Sequence, residues 1–290
     1  MEHIIRKKRF VDLTEFFSAS SISKAFLIVV LFSFCGNVNG QKPQLPKMSR
    51  RVPSQLLYRK AYTTSYNRDT RCPNWVMWQL TREHTNGPYP RKGVPYYDDN
   101  GVMLGVGEVT SKTLRNGYVV DKQAGPPRQE HDDWTKNVFN MSHGHMCPAG
   151  DCRWSKTAVN QTFLLTNICP QDRALNNGDW KQLEDKCRKW ANKYGSVYIV
   201  AGPIFYNRTI RTIGENKVRV PDAFFKVVLC MKGTPKAIGF IYPNNGEHHP
   251  MNHYVRTVDE VERVTGIDFF SNLPQKTEKA VECCADITSW

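Results

Sequence analysis

Residues 142–188 bring together several side chains with complementary chemistry. His145 supplies an imidazole, Asn176 an amide oxygen, Glu184 a carboxylate and Arg188 a guanidinium. An imidazole titrates near neutral pH and can take a proton from water. A guanidinium binds phosphate oxygens, and an amide oxygen suits a hydrated Mg²⁺ ion. These groups could hydrolyse a phosphodiester, with Glu184 holding a water of the ion's shell.

Glu184 and Arg188 belong to the clearest helix of the sequence, predicted from Gly178 to Tyr194. An apolar stripe with helical periodicity supports it, formed by Leu183, Cys187, Trp190, Ala191 and Tyr194. The two charged residues are four apart, and on sequence alone they would form a surface ion pair worth about 0.3–0.5 kcal/mol. Their position relative to Asn176 and His145 favours a catalytic role instead.

The other periodic segments predict a mixed α+β fold. Two apolar runs around residues 232–235 read as an antiparallel strand pair, and a later acidic segment has helical spacing. The predicted strands are Trp75–Leu80, Val197–Ala201, Phe224–Cys230 and Ala237–Tyr242, and the second helix is Val258–Gly266.

The composition favours a polyanionic partner. The 290 residues include 40 Lys and Arg against 27 Asp and Glu, which gives a formal net charge of +13. Charge alone is weak evidence for nucleic acid, because many exported proteins are basic.

The N-terminal segment predicts export. Four basic residues, Arg6–Arg9, precede the apolar run Ala25–Cys35, which is too short to span a bilayer comfortably. A cleaved secretory signal is therefore favoured over an uncleaved anchor, with a secreted or periplasmic product and no stable membrane association. We predict a signal peptide over 1–40, a flexible basic leader over 41–55, an enzyme domain over 56–275 and a cysteine-containing tail over 276–290.

Cysteine usage agrees with export. Eight cysteines remain after Cys35, which suggests up to four disulfides without fixing their pairing. Cys147, Cys152 and Cys169 flank the candidate site and would staple it. The alternative is a zinc site made by Cys147 and Cys152 with His143 or His145, although CxxC spacing is lacking.

Several ordered motifs resemble those of the DNA/RNA non-specific endonuclease family. The Asp-Arg-Gly-His motif of that family falls on Ser142–His145, its metal-binding asparagine on Asn176, and its helical Leu-Glu pair on Leu183-Glu184. The resemblance runs from roughly residue 56 to 275. Further matches are Thr166–Gln171, Leu175–Trp180, Tyr198–Pro203, Val220–Lys226, Val258–Glu262 and Thr265–Phe270.

The resemblance implies a fold, a reaction and roles for residues. The fold would be a central antiparallel β-sheet flanked by helices, with a ββα-metal motif. DNA and RNA would be cut to 5′-phosphate ends with one Mg²⁺, for which Mn²⁺ or Ca²⁺ could substitute. His145 would be the general base and Asn176 the metal ligand. The other site residues implied are His143, Asn167, Glu184 and Arg188 as catalytic groups and Arg91 and Gln171 as substrate-binding groups.

The sequence departs from the family at a sensitive place. Ser142 and His143 stand where the family has Asp and Arg, and His is not an equivalent donor to phosphate. An active enzyme is expected because His145, Asn176 and Glu184 persist. The alternative is a catalytically weakened protein of the same fold that binds extracellular polyanions. The sequence does not determine the oligomeric state.

Overall fold

The computed structural model describes residues 43–89, 95–97, 103–106, 117–135, 137–206 and 209–290. Its strands are β1 (Lys47–Met48), β2 (Gln55–Tyr58), β3 (Tyr62–Asn67), β4 (Cys72–Thr81), β5 (Pro95–Tyr97), β6 (Met103–Val106), β7 (Ser142–His145), β8 (Ile168–Gln171), β9 (Ser196–Ile204), β10 (Thr212–Ile213), β11 (Val218–Arg219), β12 (Ala223–Cys230), β13 (Lys236–Pro243), β14 (Val255–Arg256) and β15 (Ile267–Asp268). Its helices are α1 (Arg82–Thr85), α2 (His131–Thr135), α3 (Lys156–Gln161), α4 (Arg173–Asn177), α5 (Asp179–Tyr194), α6 (Val258–Thr265) and α7 (Gln275–Glu282).

A seven-stranded antiparallel sheet organises the chain, in the order β14-β13-β12-β9-β4-β3-β2. The predicted pair around residues 232–235 is confirmed, since Phe224 lies opposite Tyr242 and Cys230 opposite Lys236. All eight residues of β12 are buried, so both faces of the sheet are covered at its centre.

The two faces of the sheet carry separate apolar clusters. Along β12, Phe224 and Val228 pack into one cluster and Phe225 and Val227 into the other, as the two-residue repeat of a strand requires. The first cluster includes the apolar face of α5, and the second includes residues of α6 and α7. Each fully buried Leu or Phe contributes about 1.5–3 kcal/mol.

The helix boundaries follow their capping residues. The helix predicted over Gly178–Tyr194 forms from Asp179 to Tyr194 and buries Leu183, Trp190 and Ala191 of the expected stripe. The helix predicted from Val258 ends at Thr265, because Gly266 adopts a left-handed conformation. Thr257 and Glu260 form a reciprocal capping box at its start.

Two flanking segments differ from their predictions. The expected flexible leader includes Lys47–Met48, which pairs with Ile267–Asp268, and Leu45 and Met48 pack against the second apolar cluster. The expected tail includes most of α7, and Trp290 packs against Trp190. The leader was expected to be flexible because residues 41–53 are rich in Pro, Lys and Arg, but long-range pairing and packing override local composition.

The expected disulfides are not found in the part of the chain that the structure describes. All eight cysteines from Cys72 to Cys284 are free thiols. Cys147 and Cys152 contact each other with their sulfur atoms 3.7 Å apart. No helix within the described ranges is both long enough and apolar enough to cross a membrane.

Candidate active site

One cavity of about 990 Å³ collects most of the predicted site residues. His143 and His145 come from β7, Asn176 from α4, and Glu184 and Arg188 from α5. Residues up to 45 positions apart in the sequence therefore line one space, as the predicted ββα arrangement requires.

The β7–β8 hairpin presents the two histidines. Because they are two residues apart on a strand, their side chains point to the same face. Gly144 between them lies against Gln171, and a Cβ atom there would be 2.6 Å from the Cβ of Gln171. Ser142 and Gln171 are opposite each other, as are His145 and Ile168. The glycine thus permits the close approach that sets the histidine face towards the cavity.

Aromatic rings fix the planes of both imidazoles. The His143 ring is stacked between Trp134 at 3.7 Å and Tyr118 at 4.0 Å, measured between ring centroids. The His145 ring meets Phe163 edge-on at 5.2 Å and is 8% exposed. Packing on these sides leaves each ring few orientations, which favours a base held ready for use.

Asn167 and Gln171 do not line the cavity. Asn167 is wholly buried, and its amide accepts a hydrogen bond from the Cys147 backbone N–H and donates to the carbonyls of Cys147 and Thr162. It therefore holds the backbone that follows His145, and its position does not support the predicted catalytic contact. Gln171 is also wholly buried, under Gly144, so its position does not support substrate binding.

A tight junction between α4 and α5 positions Asn176. The Asp172 side chain caps α4 by accepting from the N–H groups of Ala174 and Leu175. Gly178 joins the helices, and a Cβ there would be 2.6 Å from the Ala174 carbonyl oxygen. Asp179 then anchors the start of α5 by accepting from the Tyr254 hydroxyl at 2.9 Å.

Glu184 has an unusual electrostatic environment. Burial raises the pKa of its carboxyl to about 7, and nearby Asp151 adds to the effect. The ammonium of Lys226 and the guanidinium of Arg188 oppose the rise. Lys226 is 1% exposed on β12, and its Nζ lies 4.2 Å from the centre of the Trp180 ring. A cation on an aromatic face in the core is a stable arrangement despite its burial.

Arg188 does not form the surface ion pair with Glu184 that helical spacing alone would suggest. Its guanidinium binds Asp151 at 2.7 Å and Asp185 at 2.5 Å. Asp151 is nearly inaccessible, and its other oxygen accepts from the Trp78 indole at 3.0 Å. Helical spacing places Glu184 and Arg188 on one surface of α5. Asp151, in the adjacent 3₁₀ turn Ala149–Asp151, pairs with Arg188 instead.

The cavity has more basic residues than the sequence motifs predict. Within the described lining, Glu184 is the only carboxylate, against four basic residues: Arg153, Arg173, Lys181 and Arg188. The Nε atom of Arg153 has no hydrogen-bond partner among the described residues. Helical spacing could have identified two of these residues, because Arg173 precedes Asn176 by three and Lys181 precedes Glu184 by three. Such a lining attracts phosphate.

The donor set fits a hydrated divalent cation. Asn176 and Glu184 offer an amide oxygen and a carboxylate to the same open cavity. Mg²⁺ usually binds through only a few protein ligands, because it gives up its waters reluctantly. The zinc alternative has no support, since the one group of three or more His, Cys, Asp or Glu placed for a metal in the described part is Asp259, Glu262 and Glu282. Arg91 lies outside the described residues.

Comparison with known proteins agrees with this geometry. A model of the family described as DNA/RNA non-specific endonuclease matches residues 45–276. The chain is 35% identical over 162 residues to Nuclease 1, mitochondrial, of Schizosaccharomyces pombe, covering 50% of each protein. It is 29% identical over 247 residues to Endonuclease G, mitochondrial, of Bos taurus, covering 81% of this chain and 75% of that protein.

The fold is also that of a solved structure. A chain in the crystal structure of the EndoG/EndoGI complex matches with a TM-score of 0.63 and 24% sequence identity, over 78% of this chain and 90% of that chain. The predicted architecture, a large antiparallel sheet flanked by helices with a ββα motif, is confirmed.

The comparisons also correct the predicted location. Both relatives are named as mitochondrial proteins, so the prediction of a secreted or periplasmic protein is wrong. Basic residues before a short apolar run do not identify a compartment, because transit peptides are basic as well. The match to the family model, by contrast, extends over far more than half of the sequence, and the chain belongs to the DNA/RNA non-specific endonuclease family.

Proposed function

We propose that this protein is an endonuclease that hydrolyses phosphodiester bonds in DNA and RNA, with His145 as general base and one Mg²⁺ ion. The supporting observation is that His145, Asn176 and Glu184 line one basic cavity. The names of the relatives further support a mitochondrial location.

Different side chains of the cavity would have different roles in the reaction. His145 takes a proton on its imidazole from the attacking water. The guanidinium groups of Arg153 and Arg173 bind phosphate oxygens, and Arg188 adds positive charge while Asp151 and Asp185 hold it in place. Asn176 would bind the ion and Glu184 would hold one of its waters, and the ion would supply charge that stabilises the leaving oxygen. The products would carry 5′-phosphates.

Little base selectivity is expected from this lining. Its charged groups address phosphates, which are the same at every nucleotide. Both DNA and RNA present them, so neither sugar is excluded by these contacts.

The central test is a plasmid-nicking assay on His145→Ala. Removing a positioned base should lower the cleavage rate by about 10²–10⁴-fold while binding in the presence of EDTA is retained. His253→Ala is the matched control, because His253 is exposed and does not line the cavity, and it should cut normally. Undiminished cleavage by His145→Ala would refute the base assignment. Binding by the unaltered protein without nicking under any divalent ion would instead indicate the polyanion-binding alternative.

A further inference from the structure

An acidic cluster lies on the opposite face of the sheet from the candidate active site. Asp259 and Glu262 come from α6 and Glu282 from α7. One oxygen from each of the three carboxylates lies within 4.8 Å of the others. These helices pack on the second apolar cluster, whereas α5 packs on the first. The group is therefore separate from the cavity.

Glu282 is the member of this cluster that points to a ligand. It is 7% exposed, and its Oε1 atom has no hydrogen-bond partner among the described residues. A buried polar atom without a partner is costly, and a buried carboxylate more so. Native proteins leave few buried polar atoms without a partner. A cation bound at this oxygen would supply the partner of Glu282.

Neighbouring carboxylates further destabilise the ionised form of Glu282. Besides burial, the strongest influences on its carboxyl are all acidic: Glu262, Glu278, Asp259 and Asp268. Burial, with these carboxylates in addition, raises the pKa of Glu282 to about 8. The Phe269 N–H donates to Glu262 at 2.9 Å, which satisfies one oxygen but adds no full charge. The chain as a whole has a net charge of +13, but this cluster is locally acidic, and a bound cation would balance its charge.

We propose that Asp259, Glu262 and Glu282 bind a hard divalent cation of the Ca²⁺ type that joins α6 to α7. Three carboxylates can supply up to six oxygens, and Ca²⁺ takes six to eight at about 2.3–2.6 Å. Two oxygens on opposite sides of such an ion are about 4.6–5.2 Å apart, and the three ligand oxygens of this cluster all lie within 4.8 Å of one another. Asp259 is exposed, which provides an entry path and room for water.

The experiment measures Ca²⁺ binding and thermal unfolding on the full chain. Asn176→Ala serves as the background, so that the candidate catalytic ion does not contribute. After chelator treatment, saturating Ca²⁺ should raise the Tm by about 5 °C, and calorimetric titration should show one bound ion. Adding Glu282→Gln, which keeps the shape but removes the charge, should abolish both the shift and the binding.

Two further variants make the result specific. Glu278→Gln removes a nearby charge without removing a ligand, so it should weaken binding modestly and retain the Tm shift. Asp259→Asn alters the exposed ligand and replaces Glu282→Gln if that variant does not fold. The proposal is overturned if Ca²⁺ leaves the Tm unchanged or if the shift survives in the ligand variants. It is also overturned if Glu282→Gln alone stabilises the protein while Ca²⁺ does nothing, because Glu282 would then hold a proton.

Discussion

Lys226 shows how a single distant residue shapes the candidate active site. It lies on a central strand, yet its ammonium opposes the rise that burial causes in the pKa of Glu184 and of Asp151. Its charge is held by the face of Trp180, whose indole N–H donates to the His145 carbonyl at 3.4 Å. Lys226 thus acts on Glu184 through its charge, and it contacts the tryptophan that binds the backbone of His145.

We expect Lys226→Met to shift the acid limb of the pH–activity profile to higher pH. Glu184 has a pKa of about 7, so its ionised form is lost as the pH falls through that value. Without the nearby cation the ionised form is less stable, the pKa rises further, and the limb should shift upward by about one pH unit. The measurement is kcat/KM for an oligonucleotide as a function of pH.

The matched control is Lys236→Met on the neighbouring strand. Lys236 contacts Tyr194 and Ser289 and is not among the charges that act most strongly on Glu184, so its removal should leave the profile unchanged. Combining Lys226→Met with Glu184→Gln should remove the shift. An unchanged acid limb in Lys226→Met would contradict the role assigned to this cation.

At this scale the sequence predicted the residues that lie close together in the chain. His145, Asn176 and Glu184 fall within 40 consecutive residues, and residue type together with the family resemblance predicted one site for them, in agreement with the cavity that they line. Lys226 and Tyr118 come from distant segments, and no local pattern connects them to the cavity. Asn167 was predicted as a catalytic group, but spacing does not reveal that its amide binds backbone outside the cavity.

The hairpin β7–β8 determines the site at the scale of elements. Gly144 lies within van der Waals reach of Gln171, and no larger residue fits between the strands without displacement. Its neighbours on both sides are the site histidines. The geometry of the hairpin and the direction of the imidazoles therefore depend on the same glycine.

We expect Gly144→Ala to destabilise the protein by about 1–3 kcal/mol, because the added methyl would overlap the Gln171 side chain. Activity per folded molecule should also fall, since both histidines would move. Urea denaturation measures the first effect and nicking the second. Gly125→Ala is the control, because a Cβ there meets no atom within 4 Å. A Gly144→Ala protein as stable as the unaltered one would show that the hairpin can relax freely.

The elements with strong periodicity were predicted well. The stripe of α5 and the paired runs of β12 and β13 carry their own signal, and both formed. The short strands β1 and β15 carry none, because two residues have no period and their pairing joins positions more than 200 apart. A leader was therefore expected where a strand forms.

Ser289 and Trp290 pack against α5 and β13. Trp290 is 8% exposed and packs 4.6 Å from Trp190, with Tyr194 also in contact. Lys236 donates to the carbonyl of Ser289 beside it. The last residues thus cover the end of α5 that is remote from Glu184.

We expect Trp290→Ala to lower the free energy of unfolding by about 3 kcal/mol, because a large buried ring is lost. Activity per folded molecule should be retained, since Trp290 does not line the cavity. Chemical denaturation with parallel nicking assays measures both. Tyr58→Ala is the control, because Tyr58 is 66% exposed. A loss of activity without a loss of stability would contradict this assignment.

Strand β12 belongs to both apolar clusters at once, and this has a thermodynamic consequence. Neither face of the sheet can come apart while the other stays intact, so the two apolar clusters should melt cooperatively. An ion held by helices on one side would then delay the loss of the catalytic cavity on the other, without any contact between them.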